Sequence, residues 1–493
     1  MKKSIQSNII QETNQQTNQQ EINQETNQQE TNQQKTNQQE TNQQETNQQE
    51  TNQQVKANKA DKVSKAGRKK KKHHFFLIFL AVVVVIWAGS HLYTKIVKPA
   101  KIEGFEAAVA TIDGIKIPEG VRIVGLGEAS HGNKEFQELK LEVFRQLVAT
   151  TNIRALILEG DIGGCELANQ YIQGGEGTAE EVTRHLGYRI YRTDQMRDLV
   201  QWMHDYNEAA ADEDKVRLYG MDMQYDEDMI AVINSFYAKA DAAKGEAYAA
   251  KVRELLGESD DDYDASRYDE IVALMDEIEK DVAANEAAYA ERTSAFEAKY
   301  VAHMAENVKY FISYRVKEKR ANRARDSYMK ENVDWILAME ESERGGAVMV
   351  SCHNGHMARN QYSPHTFLGM FLAEDYGKKY FAIGTDFYNT SVNLPTTDYS
   401  GRIIKEFCSD DALAYQVKDL PGNVYYLDFS KVDAGSALGK KIGEAGATGS
   451  LSEAYSWVYK VLKSSYQVFH APTDMYDAMI LYYETTPIEI WEK

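Results

Sequence analysis

The stretch VRIVGLGEASHG, residues 121–132, joins an apolar run to a polar turn in which Glu128 and His131 lie three residues apart. The apolar run predicts a buried strand, and the segment NKEFQELKLEVFRQLV that follows predicts a helix. The glycines alone would be enough to make the turn between them. The added carboxylate and imidazole therefore indicate a functional site at the end of this strand.

Four further apolar runs have the composition of buried strands: RALILEGD, VRLYGMD, GAVMVSCHNGH and YFAIGTDF. Helical segments such as TDQMRDLVQWMHDYNEAA lie between most of them. This alternation predicts an α/β fold with a mostly parallel sheet that is covered by helices on both faces. The stretch from about 227 to 343 is long, charged and free of proline. We expect it to be an inserted helical segment that forms part of one wall of the binding cleft.

The first 55 residues repeat TNQQE and contain very few apolar residues, which predicts a disordered tract. A weak coiled coil is the alternative, but a period of five matches no heptad. Residues 56–74 form a basic segment. Residues 75–93, FFLIFLAVVVVIWAGSHLY, predict a transmembrane helix rather than a buried core helix or a cleaved signal peptide. After a linker over 94–103, we expect one α/β domain over 104–493.

Nine basic residues in 56–72 precede the predicted span, against Lys95, Lys98 and Lys101 after it. The positive-inside rule therefore predicts a single-pass protein of the cell membrane, with its N-terminus in the cytoplasm and the domain outside the cell. Residues 73–493 carry a net charge of −23. A body this acidic is not expected to bind nucleic acid.

Three cysteines, Cys165, Cys352 and Cys408, are too few and too widely spaced to predict a disulfide framework. Cys352 adjoins HNGH and could act as a nucleophile. A small buried residue at a strand end is the better interpretation.

Each of the five predicted strands ends in an acid or a histidine: Glu128, Glu159, Asp222, His353 and Asp386. In an open parallel sheet, ligands bind outside the carboxyl ends of the strands. Any one of these residues could instead cap a helix or bind backbone in a loop. Together, and with His356 three residues after His353, they predict a shared site in which Asp222 and Asp386 are the weakest members.

Six segments in this order resemble the erythromycin esterase family: GLGEASHGNKEFQELK, LILEGD, YRIYRTDQMRDLVQWMHDYN, VRLYGMDMQ, RDSYMKENVDWI and VSCHNGHMAR. The resemblance covers roughly residue 104 to the C-terminus. It implies an α/β core with a helical insertion and the hydrolysis of a macrolide lactone by an activated water, without a covalent serine. The substrate that it implies is a small ester or lactone.

The resemblance also implies roles for single residues. The family's essential histidine falls on His131 and its acidic partner on Glu128, while Glu159, His353 and His356 are further catalytic positions. Where the family often has an arginine, nine residues after the histidine, this chain has Lys140. Lysine keeps the charge but lacks the bidentate fork. We expect Lys140, Asp222 and Asp386 to contact the substrate.

In the mechanism that we expect, neutral His131 takes a proton from the attacking water, and Glu128 orients the imidazole. Lys140, His353 or His356 would donate hydrogen bonds to the developing oxyanion. The sequence has no GxSxG motif, which disfavours a serine hydrolase. No cofactor is expected. The rival interpretations are a metal-dependent hydrolase that uses the same acids and histidines, and a surface protein that binds a ligand without turnover.

Overall fold

The computed structural model describes residues 98–257, 264–360, 365–451 and 454–492. The predicted disordered tract, basic segment and transmembrane helix over 75–93 lie outside these residues. Among the described residues, no helix has the length and apolar character needed to cross a membrane. The described part of the predicted linker is bound to the domain: Gln416 donates a hydrogen bond to the carbonyl of Ala100 over 3.0 Å and accepts one from the N–H of Ile102 over 2.9 Å.

A nine-stranded sheet forms the centre of the domain, with the order β1-β8-β11-β6-β2-β5-β3-β4 and with β7 paired to β6. The strands of this sheet are β1 (Val109–Ala110), β2 (Ile123–Glu128), β3 (Ala155–Asp161), β4 (Arg217–Asp222), β5 (Val348–His353), β6 (Tyr380–Pro395), β7 (Arg402–Cys408), β8 (Val424–Asp428) and β11 (Ala478–Thr485). A separate antiparallel pair is formed by β9 (Gly446–Gly449) and β10 (Gln467–His470).

Six adjacent strands, from β11 to β4 in the order above, run parallel to one another. The antiparallel pairings involve β1, β7 and β8. The prediction of a mostly parallel sheet is therefore confirmed. β2, β3 and β4 are buried along almost their whole length because helices cover both faces of the sheet.

The helices and the sheet enclose two large apolar cores, one on each face of the sheet. On one face, Val124 and Leu126 of β2 pack with Phe136 and Val143 of the helix that follows. On the other face, Ile157 and Val350 pack against the inserted helices. The helices outside the insertion are α1 (Phe105–Ala108), α2 (Lys134–Thr150), α3 (Ile162–Ile172), α4 (Ala179–Thr183), α5 (Asp194–Ala209), α11 (Asn354–Met357), α12 (Leu368–Tyr376), α13 (Ala437–Gly443) and α14 (Pro472–Met475).

The predicted insertion lies between β4 and β5, and most of its described residues are helical. Its helices are α6 (Glu227–Ala240), α7 (Ala242–Leu256), α8 (Tyr268–Ala290), α9 (Ala295–Val316) and α10 (Asn322–Arg344). Tyr314 at the end of α9, and Asn322 and Arg325 at the start of α10, line a cavity at the carboxyl edge of the sheet. Residues of the insertion therefore form part of the wall of this cavity.

The glycines of the opening motif permit close packing at this edge. A Cβ on Gly127 would collide with the side chain of Asn354. That side chain binds the backbone of Thr385 in both directions, at 2.7 Å and 3.1 Å, and so ties the start of α11 to β6. A Cβ on Gly132 would collide with the carbonyl of Asn393. Both positions are therefore restricted to glycine by the space available.

Candidate functional site

Of the five residues predicted at strand ends, four come together at the carboxyl ends of β2, β5, β3 and β4, which are neighbours in the sheet. Glu128 and His353 are register partners, each at the end of its strand. Asp222 ends β4, and Glu159 lies two residues before the end of β3. The parallel strands therefore bring these four residues to one edge of the sheet, with a register shift in β3 next to Glu159.

Glu128 holds His131 by a short hydrogen bond. The Nδ1 of His131 lies 2.6 Å from Oε1 of Glu128. Burial would raise the pKa of Glu128, but Lys140 and His131 outweigh it and lower the pKa to about 2. An ionised carboxylate only accepts hydrogen bonds, so Nδ1 is the donor and the lone pair of neutral His131 lies on Nε2.

Lys140 lies behind Glu128 instead of on the cavity wall. Its ammonium group is almost completely buried and forms an ion pair with Oε2 of Glu128. It also donates to the carbonyl of Phe136 over 3.3 Å. The expectation that Lys140 contacts substrate is therefore corrected: this cation fixes the carboxylate that fixes His131.

His353 is packed beside His131, with ring centroids 5.1 Å apart. Its Nδ1 accepts a hydrogen bond from the N–H of Gly355 over 3.1 Å. Burial, together with the nearby His131, lowers the pKa of His353 to about 3, so the ring is neutral and its proton lies on Nε2. Among the described residues this buried Nε2 has no hydrogen-bond partner. Buried donors normally have a partner, so a bound water or ligand oxygen would satisfy it.

Arg325, from the first turn of α10, joins two of the predicted acids. Its Nη2 lies 2.8 Å from Oε1 of Glu159 and 2.7 Å from Oδ2 of Asp222. Burial would raise the pKa of Glu159, but His356 and Arg325 hold it well below its ordinary value. Tyr188 donates a hydrogen bond to the same oxygen of Asp222. Oδ2 of Asp222 is thus occupied by protein groups, whereas its buried Oδ1 has no hydrogen-bond partner among the described residues.

A second carboxylate–histidine pair stands next to this cluster. The Nδ1 of His356 lies 2.6 Å from Oδ1 of Asp326, and its Nε2 lies 3.5 Å from Oε1 of Glu159. Burial would lower the pKa of His356, but Glu159 and Asp326 outweigh it and raise the pKa above its ordinary value. The two acids therefore favour the charged form of His356.

Three residues of the site were missed as site residues by the sequence analysis: Tyr188, Arg325 and Asp326. All three lie in segments that carry the family resemblance, YRIYRTDQM and RDSYMKENVDWI. Their place in those segments was the signal that could have found them. Nothing in the local pattern separates Arg325 from the other cations of the insertion.

A cavity of about 320 Å³ opens beside His131 and Glu159. Its walls are aromatic and polar, and the remaining lining residues are Tyr188, Ile190, Tyr191, Gln224, Tyr225, Tyr314, Asn322, Arg325 and Tyr399. A concave space with aromatic walls and a few fixed polar groups is typical of a small-molecule site. His131, which is held by the buried Glu128, therefore faces a space of the kind that binds small molecules.

Asp386 does not belong to this group, because β6 continues past it to Pro395. The strand end predicted at Asp386 is therefore wrong. Its carboxylate is fully buried and accepts hydrogen bonds from the N–H groups of Phe387, at 2.7 Å, and Gly449, at 3.0 Å. The bond from Gly449 joins β6 to β9, so the structure places Asp386 in packing and away from the cavity lining.

Cys352 is fully buried in β5. Burial, with the nearby charge of Glu159, raises the pKa of its thiol well above the ordinary value. A buried thiol of this kind is a poor nucleophile. The interpretation of Cys352 as a small core residue is confirmed.

The distances between acids and histidines indicate where such side chains lie close enough together to hold a metal ion. Within the described ranges, one group of three such residues has all its potential ligand atoms within 4.8 Å of one another: His204, Asp205 and Glu208. These residues lie on α5, away from the cavity lining. The oxygens of Glu128 and Glu159 are instead directed to Lys140, His131, Arg325 and the N–H of His353.

Three solved structures share this fold. A succinoglycan biosynthesis protein is 17% identical with a TM-score of 0.64, over 79% of this chain and 97% of that chain. A Bacillus cereus protein is 22% identical with a TM-score of 0.63, over 80% and 96%. A mutant of erythromycin esterase EreC in its open conformation is 16% identical with a TM-score of 0.54, over 76% and 93%. At these identities the likeness shows the fold alone.

The comparison with curated proteins gave no match. The family model described as erythromycin esterase matches residues 148–485, which include Glu159, Asp222, Arg325, Asp326, His353 and His356. Glu128, His131 and Lys140 precede the matched residues, and it is the parallel sheet that brings them to the same edge. The chain belongs to the erythromycin esterase family.

Proposed function

We propose that this protein hydrolyses a carboxylic ester or a lactone, of the macrolide kind or another, by direct attack of water. The observation that carries the proposal is the 2.6 Å contact between Glu128 and His131 on the wall of the cavity. A positioned imidazole with a carboxylate behind it is the arrangement that takes a proton from a nucleophile. Inactivation of a macrolide antibiotic is one activity of this class.

The attacking water would give its proton to Nε2 of His131 while its oxygen bonds to the carbonyl carbon. Glu128 supports this step because its charge stabilises the imidazolium that forms. Lys140 keeps Glu128 ionised despite burial. Collapse of the tetrahedral intermediate then returns the proton to the departing alkoxide.

His353 is the donor best suited to the oxyanion. Its neutral ring carries the proton on Nε2, beside His131, and this atom has no partner among the described residues. A hydrogen bond from such a donor to the carbonyl oxygen strengthens as negative charge develops. His356 and Glu159 contribute through charge, because Glu159 and Asp326 raise the pKa of His356 and so favour a cation next to the site.

We also propose that residues 75–93 anchor the protein in the cell membrane and that the domain lies outside the cell. The proposal depends on the uncharged apolar run from Phe75 to Gly89 and on the basic excess before it. An enzyme in this position meets esters of the cell surface or of the surroundings.

The function is tested by incubating the full-length protein in detergent with macrolides, simple lactones and para-nitrophenyl esters. We expect release of the acid from at least one class. Turnover that is lost on chelation and restored by a divalent metal would favour the metal-dependent rival. Tight binding of a ligand with no turnover would favour the surface-binding rival.

A further inference from the structure

A group of cations lies at the rim of the cavity, on the loop between α9 and α10 and on the helix turns that flank it. Residues 315–325, RVKEKRANRAR, hold six cations and one carboxylate, in a body whose net charge is −23. Tyr314 before the loop and Asn322 after it both line the cavity. The loop is therefore kept at the cavity mouth by both of its ends.

Backbone hydrogen bonds hold this loop in place. The N–H of Arg320 donates to the carbonyl of Tyr314 over 2.9 Å, and the N–H of Ala321 donates to the carbonyl of Glu318 over 3.0 Å. Lys319 and Arg320 adopt the left-handed region, with φ of 50° and 59°. Since residues other than glycine rarely adopt it, the fold determines where these two side chains leave the backbone.

Four cations of the loop region form no ion pair with a described carboxylate, and one of them, Lys317, lies over the ring of Tyr268. Lys319, Arg320 and Arg323 are exposed, and none forms an ion pair in the part of the chain that the structure describes. The charge of Arg320 reaches the cavity wall. Burial raises the pKa of Tyr314, and Arg320 is among the cations that oppose this rise.

By contrast, the charged side chains deeper in the site are paired with side chains of opposite charge. Lys140 pairs with Glu128, and His356 lies between Asp326 and Glu159. Arg325 is shared by Glu159 and Asp222. A charge on the substrate would therefore find its free partners at the rim and not at the cavity floor.

We propose that the substrate is an ester whose part outside the cavity carries a negative charge, which Lys319, Arg320 and Arg323 bind. This inference rests on the proposed function, because it assigns a substrate class to the same site. A positive rim on an acidic molecule attracts such an ester and repels a cationic one. Added salt weakens the effect because exposed charges are screened.

The test compares three para-nitrophenyl esters on the full-length protein: the hemiester of glutaric acid, the butyrate, and the ester of trimethylammoniobutyrate. For the wild type, we expect kcat/KM to rank anionic above neutral above cationic, and the anionic preference to shrink with added NaCl. Replacing Lys319, Arg320 and Arg323 together by Gln should reduce the ratio of anionic to neutral kcat/KM roughly 3- to 10-fold.

A matched variant with Gln at Lys116, Lys378 and Lys379 removes the same charge from exposed positions that precede the amino ends of β2 and β6. It should keep the wild-type ratio. An anionic preference that is absent in the wild type, or that survives in the rim variant, would overturn the inference.

If the wild type hydrolyses none of the three esters, the result counts against the proposed function and not against an anion site at the rim. Binding then decides the inference, with the para-nitroanilides of glutaric and butyric acid as probes. Tighter binding of the anionic anilide, lost in the rim variant, supports an anion site at the rim. Equal binding of the two anilides refutes it.

Discussion

The buried ion pair of Glu128 and Lys140 is the feature that fixes His131. Lys140→Met would leave the carboxylate of Glu128 buried without its cation, which costs about 3–5 kcal/mol when one partner of such a pair is removed. Glu128→Gln together with Lys140→Met removes both charges and should be less destabilising than Lys140→Met alone. Urea unfolding of the wild type, both single variants and the double variant measures these differences. A Lys140→Met protein as stable as the wild type would show that the pair contributes nothing.

The same pair has a defined dependence on pH. The pKa of Glu128 is lowered from its ordinary 4.5 to about 2, so the stabilisation is present above pH 4.5 and is lost as the pH falls through 2. The urea midpoint of the wild type should decline over this range more steeply than that of the double variant. Parallel declines would mean that Glu128 is not the group responsible.

Residues at the ends of the parallel strands could be predicted from the sequence, because topology alone places them together. Glu128 and His353 are examples, since an apolar strand pattern and the next polar residue were enough to locate them. Lys140 shows the limit: its position on α2 was evident, but packing decides whether a long side chain reaches the cavity or turns back to the strand. Asp326 lies in a helix rich in charge, and only tertiary contact with His356 distinguishes it.

At the scale of elements, α10 supports His356, which lies three residues after the end of β5. Asp326→Asn would remove the charge that helps to keep His356 protonated, so the pKa of His356 should fall. Asp326 is a positioning residue. Its replacement should lower kcat by roughly tenfold or more, because the ring of His356 loses the carboxylate that orients it. Proton NMR titration of His356, beside the kinetics, measures both effects. An unchanged titration with reduced kcat would point to a packing effect instead.

The helical insertion and the parallel sheet were predictable because their patterns extend over many residues. The length of β6 was not: buried Asp386 has the appearance of a strand end, since an unpaired carboxylate is costly inside a sheet. In the folded chain, the N–H groups of Phe387 and Gly449 satisfy it, and Gly449 comes from a strand more than sixty residues away. A contact this distant in sequence leaves no local pattern.

At the scale of the whole molecule, the proposed anchor gives a prediction about topology. Protease added to intact cells should digest the domain after Lys101 and spare the TNQQE tract, because the basic excess precedes residues 75–93. Antibodies against tags at the two ends report which fragment survives. Cleavage of the tract with survival of the domain would reverse the orientation, and a mature form that begins after the span would indicate a cleaved signal.

The central claim is that His131 is the general base, and the hydrolysis rate of a His131→Ala protein tests it most directly. The substitution removes the proton acceptor at the cavity wall, and retention of the fold is checked by circular dichroism and by the urea midpoint. On an ester that the wild type hydrolyses, kcat should fall by about 10²–10⁴-fold. A folded His131→Ala protein that hydrolyses the same ester at the wild-type rate would contradict the claim.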